Sequence, residues 1–218
     1  ANASNSVALW PASLSGAWAY RQELARYKCY LLPMGAASLV GGAAGGLLLL
    51  AAGDARFSAL IPWLLAFATG LFAFSPQLSV ALKRMRAPAA NTLQGDHGAG
   101  SPAGWLVQLL VSVYGGFFGA GMGILMMASL AIGGHEDVQH INALKNILSA
   151  VIYSVTVVTF IVAGAVSWPQ TLAMLLAASL GGYWGARMAR NIQGLWLRRL
   201  VIAVGSALTA YYFYKALA

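Results

Sequence analysis

Charge is what this sequence has least of. Asp, Glu, Lys and Arg make up 8% of 218 residues, against about 25% in a soluble domain. A chain of this size cannot cover a water-facing globule with so few charges. Only 5 residues are acidic, and none lies inside an apolar run, so no embedded carboxylate is present to carry a proton. The single Cys29 excludes an intrachain disulfide framework and supplies too little thiol for a structural zinc site. The histidines, His97, His135 and His140, all stand in polar stretches. There is no G-x-S-x-G and no Walker motif, so an intramembrane enzyme has no embedded nucleophile–base pair or metal cluster to work with. A nucleic-acid partner would need basic residues gathered on one soluble face; here they are scattered among loop ends.

What is abundant is apolar sequence: 60% of the chain, with a mean hydropathy of +0.72. A spanning helix needs roughly 20 mostly apolar residues. Cys29–Ala52, Phe57–Leu82, Ile141–Val166, Pro169–Met188 and Trp196–Tyr214 meet that length, and Ala3–Ala19 is marginal. Trp105–Ile132 is apolar but interrupted by glycine, and 87–104 is a Pro/Gly/Asn-rich linker. Runs this long are not strands of a membrane barrel, which alternate over about ten residues. The expected fold class is an all-α polytopic membrane protein, with the lipid bilayer as its first partner.

The chain repeats itself at an offset near 140. Asn2-Ala3 lies opposite Asn142-Ala143, Asn5 opposite Lys145 and Leu60 opposite Leu200. Ala37-Ser38-Leu39 with Gly41-Gly42-x-x-Gly45 lies opposite Ala178-Ser179-Leu180 with Gly181-Gly182-x-x-Gly185. This divides the chain into a first repeat (1–82), a linker (83–104) and a second repeat (105–218). Trp105–His140 has no counterpart in the first copy, and a hairpin's worth of sequence is expected upstream of Ala1.

The basic excess, 13 Lys+Arg for a net +8, reports orientation in a membrane protein, because such residues collect in cytoplasmic loops. Arg21, Arg26 and Lys28 stand at a loop whose mate, Ser167–Gln170, has no basic residue. Arg56 stands alone where its mate has Arg187, Arg190, Arg198 and Arg199. Lys83, Arg84 and Arg86 face only Lys215 in the other copy. The bias inverts at each place, so the two copies are expected to insert upside down relative to each other. Trp105–His140 must then return to the side it came from, as a re-entrant hairpin or broken helix pair. Inverted repeats with glycine-broken or re-entrant helices are a transporter architecture.

Candidate site residues follow from that expectation. In Gly115-Gly116-x-x-Gly119-x-Gly121-x-Gly123, spacing by four makes a packing ridge. Five glycines in nine positions also suit a break whose half-helix N-terminus offers N–H donors to an anion. Gly41/Gly45 and Gly181/Gly185 are simple G-x-x-x-G pairs, read as packing. Lys145 is the one basic residue with apolar sequence close on both sides. It shares a helix face with Asn142, Asn146 and Ser149, donors suited to an oxyanion. Alternatively, it sits about 6 Å into a helix starting at Ile141 and snorkels to headgroups. Asn2 and Asn5 would supply the equivalent face in the first repeat. His135-Glu136-x-x-x-His140 is no zincin motif: its histidines are five apart, about 140° around a helix, and it is read as a solvated connection. Trp10 and Trp168, each beside a proline, are pathway or interfacial aromatics.

The glycine run at Gly115–Gly123, Asn142-Ala143-Leu144-Lys145-Asn146, Ala163-Gly164-Ala165-Val166-Ser167-Trp168 and Gly181-Gly182-Tyr183-Trp184-Gly185-Ala186-Arg187-Met188-Ala189-Arg190 together resemble the TauE/SafE sulfite-exporter family. Asn2-Ala3-Ser4-Asn5-Ser6-Val7-Ala8-Leu9-Trp10-Pro11 is similar to the corresponding first-half stretch. The chain departs from the family in lacking the first glycine-rich hairpin, and Met122 interrupts a glycine run that members often continue. The resemblance implies a multi-pass permease of the bacterial inner membrane that moves sulfite, organosulfonates or related sulfur oxyanions, with no cofactor and no catalytic residue. A small anion is then the expected substrate. It would bind at Asn142, Lys145, Asn146, Gly119, Gly121, Gly123, Asn2 and Asn5; homo-oligomerisation is open. A non-transporting membrane assembly subunit is the competing reading.

Overall fold

The computed structural model describes residues 2–19, 28–86, 102–132, 138–189 and 194–217. Every regular element among them is a helix: α1 (Asn2–Ala19), α2 (Lys28–Arg86), α3 (Pro102–Phe117), α4 (Met122–Ile132), α5 (Val138–Val162), α6 (Trp168–Ala189) and α7 (Gly194–Leu217). Arg21, Glu23, Arg26, the 87–101 stretch, His135, Glu136 and Arg190 lie outside the described residues. So do the side chains of Lys28, Lys83, Arg84, Arg86, His140, Arg187 and Arg198.

The two spans expected at Cys29–Ala52 and Phe57–Leu82 form the arms of α2. They join at Gly53, whose φ of 67° and ψ of 169° fall in a region essentially restricted to glycine. Trp105–Ile132 is a broken helix pair, α3 and α4. α2 continues to Arg86, and α3 begins at Pro102, where proline is tolerated in a first turn. α5 starts at Val138, three residues ahead of the expected Ile141, so Lys145 lies seven residues into the helix, roughly 10 Å at 1.5 Å per residue.

Burial runs opposite to the pattern of a soluble domain. Leu32, Val162 and Leu176 are 77%, 83% and 65% exposed, whereas Ser38, Ser112 and Gln108 are at most 1% exposed. Leu31–Phe74 has the length and hydropathy of a span, yet only 6% of its most apolar window is buried. The core helix of a soluble protein would be mostly covered. Apolar surface faces outward because its solvent is lipid, and Ile141–Val162 is a second helix apolar and long enough to cross a bilayer.

α5 is the central element, packing against α1, α2, α3 and α4. Its Ile141, Leu144, Leu148 and Ile152 recur at helical spacing and close on Met122, Met126 and Leu130 of α4. The first arm of α2 runs parallel to α3, as the ascending pairs Ser38–Gln108, Gly41–Ser112 and Gly45–Phe117 show. This contact is backbone on backbone. A Cβ on Gly41 would stand 2.6 Å from Ser112 Cβ, one on Gly116 2.5 Å from Gly42 O, and one on Gly45 would overlap the Val113 carbonyl. The packing reading of Gly41 and Gly45 holds. α6 packs on α1, where Ser167 N–H donates to Ser4 Oγ at 3.1 Å, and α7 packs on α2.

Candidate functional site

α3 ends and α4 begins at Phe118-Gly119-Ala120-Gly121. Gly119 and Gly121 have φ of +79° and +78°, conformations that a side chain would strain. The glycine run therefore both breaks the helix and packs its flanks. Gly115 lies under the Met122 thioether, so the two halves of the hairpin close on each other. Because α4 runs back from the turn and leads on to α5, α3 and α5 point the same way.

The turn is held from three sides. Tyr114 O–H donates to Ala120 O at 2.6 Å, satisfying one exposed carbonyl. Asn2 Nδ2 donates to Phe117 O at 2.9 Å, tying the start of α1 to the end of α3. Phe57, just past the Gly53 bend, stacks edge-on against Phe117 with centroids 5.6 Å apart, and Phe67 packs on Tyr114 at 5.7 Å. Such partners are what irregular backbone at membrane depth requires.

Of the first N–H groups of α4, Met122 donates to Gly119 O at 3.2 Å, and Ile124 and Leu125 donate to Gly121 O at 3.0 and 3.3 Å. The turn's own carbonyls thus take two of the N–H groups that a helix start leaves over, those of Met122 and Ile124, and Leu125 makes the first i→i−4 bond. That reduces what the helix N-terminus alone offers an anion, and the side chains of α5 have to make up the difference.

Lys145 is half-buried, and its Cδ comes within 3.7 Å of the position a Gly123 Cβ would occupy. Gly123 is the second residue of α4, at the end remote from Ile132, where the chain leads on toward α5. The lysine stem therefore lies beside the first turn of α4, next to the glycine turn. Ser149, one turn on, donates to Met126 Sδ at 3.4 Å, a weak acceptor. Tyr153, one further turn on, places its hydroxyl 3.5 Å from the Cβ position of Gly119. Lys145, Ser149 and Tyr153 thus line the side of α5 that meets α4 and the turn. Tyr153 was not among the expected site residues. Its signal was the continuation of the 145–149 spacing by four, hidden because tyrosine in an apolar run reads as core.

The other expected members separate. Asn2 reaches the turn, but its amide is spent on Phe117. Asn146 points at α1, with its Oδ1 3.8 Å from the Cβ position of Gly16. Asn5 is exposed, and no contact places Asn142 at the turn. The hairpin and α5 thus gather Lys145, Gly119, Gly121 and Gly123 with Asn2 alongside, while Asn146 faces α1 and Asn5 is exposed. Trp10 Nε1 donates to Ser154 Oγ at 2.8 Å, bridging α1 and α5, while Trp168 is exposed at the start of α6.

An outward apolar surface around a glycine-broken hairpin marks an α-helical membrane protein. The Sulfite exporter TauE/SafE family model matches residues 1–212, and the chain belongs to that membrane transporter family. No curated protein and no solved structure matches the chain.

Proposed function

We propose that the protein is a secondary permease for small sulfur-containing anions, sulfite or organosulfonates, spanning the bacterial inner membrane several times. The observation that carries this reading is the Lys145 stem beside Gly123. A charge at mid-membrane costs about 2.5–3.5 kcal/mol on insertion scales. An anion at the glycine turn supplies a counter-charge where lipid supplies none.

Alternating access of two inverted repeats is supported by how the helices pair. At an offset of 140, α1 is the mate of α5, the first arm of α2 of α6, and the second arm of α7. α1 crosses α5 antiparallel, through Trp10–Ser154 and Gly16–Asn146. The second arm of α2 crosses α7 antiparallel, through Trp63–Phe213 and Thr69–Gly205. The α2–α5 contact exchanges into α6–α1, and both occur. A two-fold axis in the membrane plane produces this pattern. Under the same exchange, α6 at Gly181, with open space around it, is the mate of the α2 face that holds α3.

The test is reconstitution into liposomes loaded with unlabelled sulfite and diluted into labelled sulfite. Counterflow accumulation above protein-free vesicles is expected. No accumulation with either sulfite or methanesulfonate overturns the reading and favours the assembly-subunit alternative.

A further inference from the structure

We infer that the site selects anions of a single negative charge, carrying bisulfite and alkylsulfonates and rejecting dianions such as sulfate. The inference rests on the transport reading above and adds the charge state of the cargo. It comes from counting charges around the turn. α5 contributes Lys145, and the equivalent position of the first repeat is Asn5, which is neutral. Duplication therefore supplies one cation, not two. α1 and α4 contain no charged residue at all.

The titratable side chains facing the hairpin among the described residues are Lys145 and Tyr153 from α5 and Tyr114 from α3. From α2, the Gly53 bend that carries Phe57 to the turn has Asp54 and Arg56, opposite in sign and both exposed. The remaining donors are uncharged. The Ser149 hydroxyl rests on a thioether, and no hydrogen bond of the Tyr153 hydroxyl occurs among the described residues. Neutral donors orient oxyanion oxygens but do not cancel a second charge. One ammonium with one anion makes a pair without net charge. A dianion leaves a full negative charge in a low-dielectric interior, which insertion costs translate into a penalty on the order of a hundredfold.

Sulfite itself tests this, because it loses its second proton near neutral pH while methanesulfonate stays a monoanion throughout. In proteoliposomes, with protein-free vesicles subtracted because neutral SO2 crosses lipid unaided, sulfite flux at fixed total concentration should follow the bisulfite fraction. It should fall about tenfold per pH unit above that titration. Methanesulfonate flux should stay flat over the same range, because its charge does not change; a pH response of the protein itself would move both substrates together. Sulfate flux should be about a hundredfold below methanesulfonate. Sulfate flux within tenfold of methanesulfonate, or sulfite flux independent of pH, overturns the inference and leaves transport standing. Failure of every anion to move overturns both.

Discussion

Gly119 and Gly121 are the residues at which the hairpin depends most on the absence of a side chain. Both have positive φ, where an L-residue costs roughly 1–2 kcal/mol. A Cβ at Gly119 would also meet the Gly115 carbonyl at 3.3 Å and the Tyr153 hydroxyl at 3.5 Å. Gly119→Ala is expected to lower thermal stability in detergent by about that amount and to reduce flux further, because it intrudes on the turn itself. Unchanged stability and flux would mean that the turn relaxes freely. Gln108 offers a contrasting residue-scale test. Its Nε2 donates to Ser38 Oγ at 2.9 Å and Ser112 Oγ at 3.3 Å, but its buried Oε1 has no partner among the described residues. An unsatisfied buried acceptor costs about 1–3 kcal/mol, so Gln108→Met should be neutral or stabilising in a melting experiment. A loss above about 1 kcal/mol would show that the amide is satisfied in the membrane.

Among the elements, α2 and α3 are bound by their closest approach. The Gly45 site admits no Cβ without displacing the Val113 carbonyl, whereas Gly181 on α6 faces open space. Gly45→Val should therefore cost about 1–3 kcal/mol by overpacking, and Gly181→Val in the 218-residue chain should stay within about 0.5 kcal/mol. Thermal unfolding of the purified variants separates the two. Equal losses would remove the distinction between a filled and an open glycine face. How far the elements were legible follows the same physics. The apolar runs marked the helices because lipid imposes length and hydropathy on any span. The glycine-rich stretch marked the break because positive φ excludes most other residues. Helix ends were less legible: α5 starts before Ile141 because Gln139 and His140 are polar but compatible with a helix. That shift moved Lys145 deeper than the sequence suggested.

At the scale of the whole molecule, what the sequence concealed was partnership. Asn142, Asn146, Lys145 and Ser149 share a stripe on α5, yet the stripe meets two neighbours: Asn146 turns to α1 and Lys145 to the hairpin. Spacing places residues on a face but does not say which helix covers it, and Tyr153 was overlooked for the same reason. The proposed repeat is read from the order of residues, and the antiparallel crossings of α1 with α5 and of α2 with α7 are what support its inversion. All of this converges on an anion meeting Lys145 beside the glycine turn. The most direct measurement is methanesulfonate flux through reconstituted protein at equal membrane content for the native chain, Lys145→Arg and Lys145→Gln. A buried charge pair broken on one side costs about 3–5 kcal/mol. Lys145→Gln is accordingly expected to lose at least a hundredfold in flux, while Lys145→Arg, which keeps the charge, retains a measurable fraction. Native flux in Lys145→Gln would contradict the account and place the lysine outside the path.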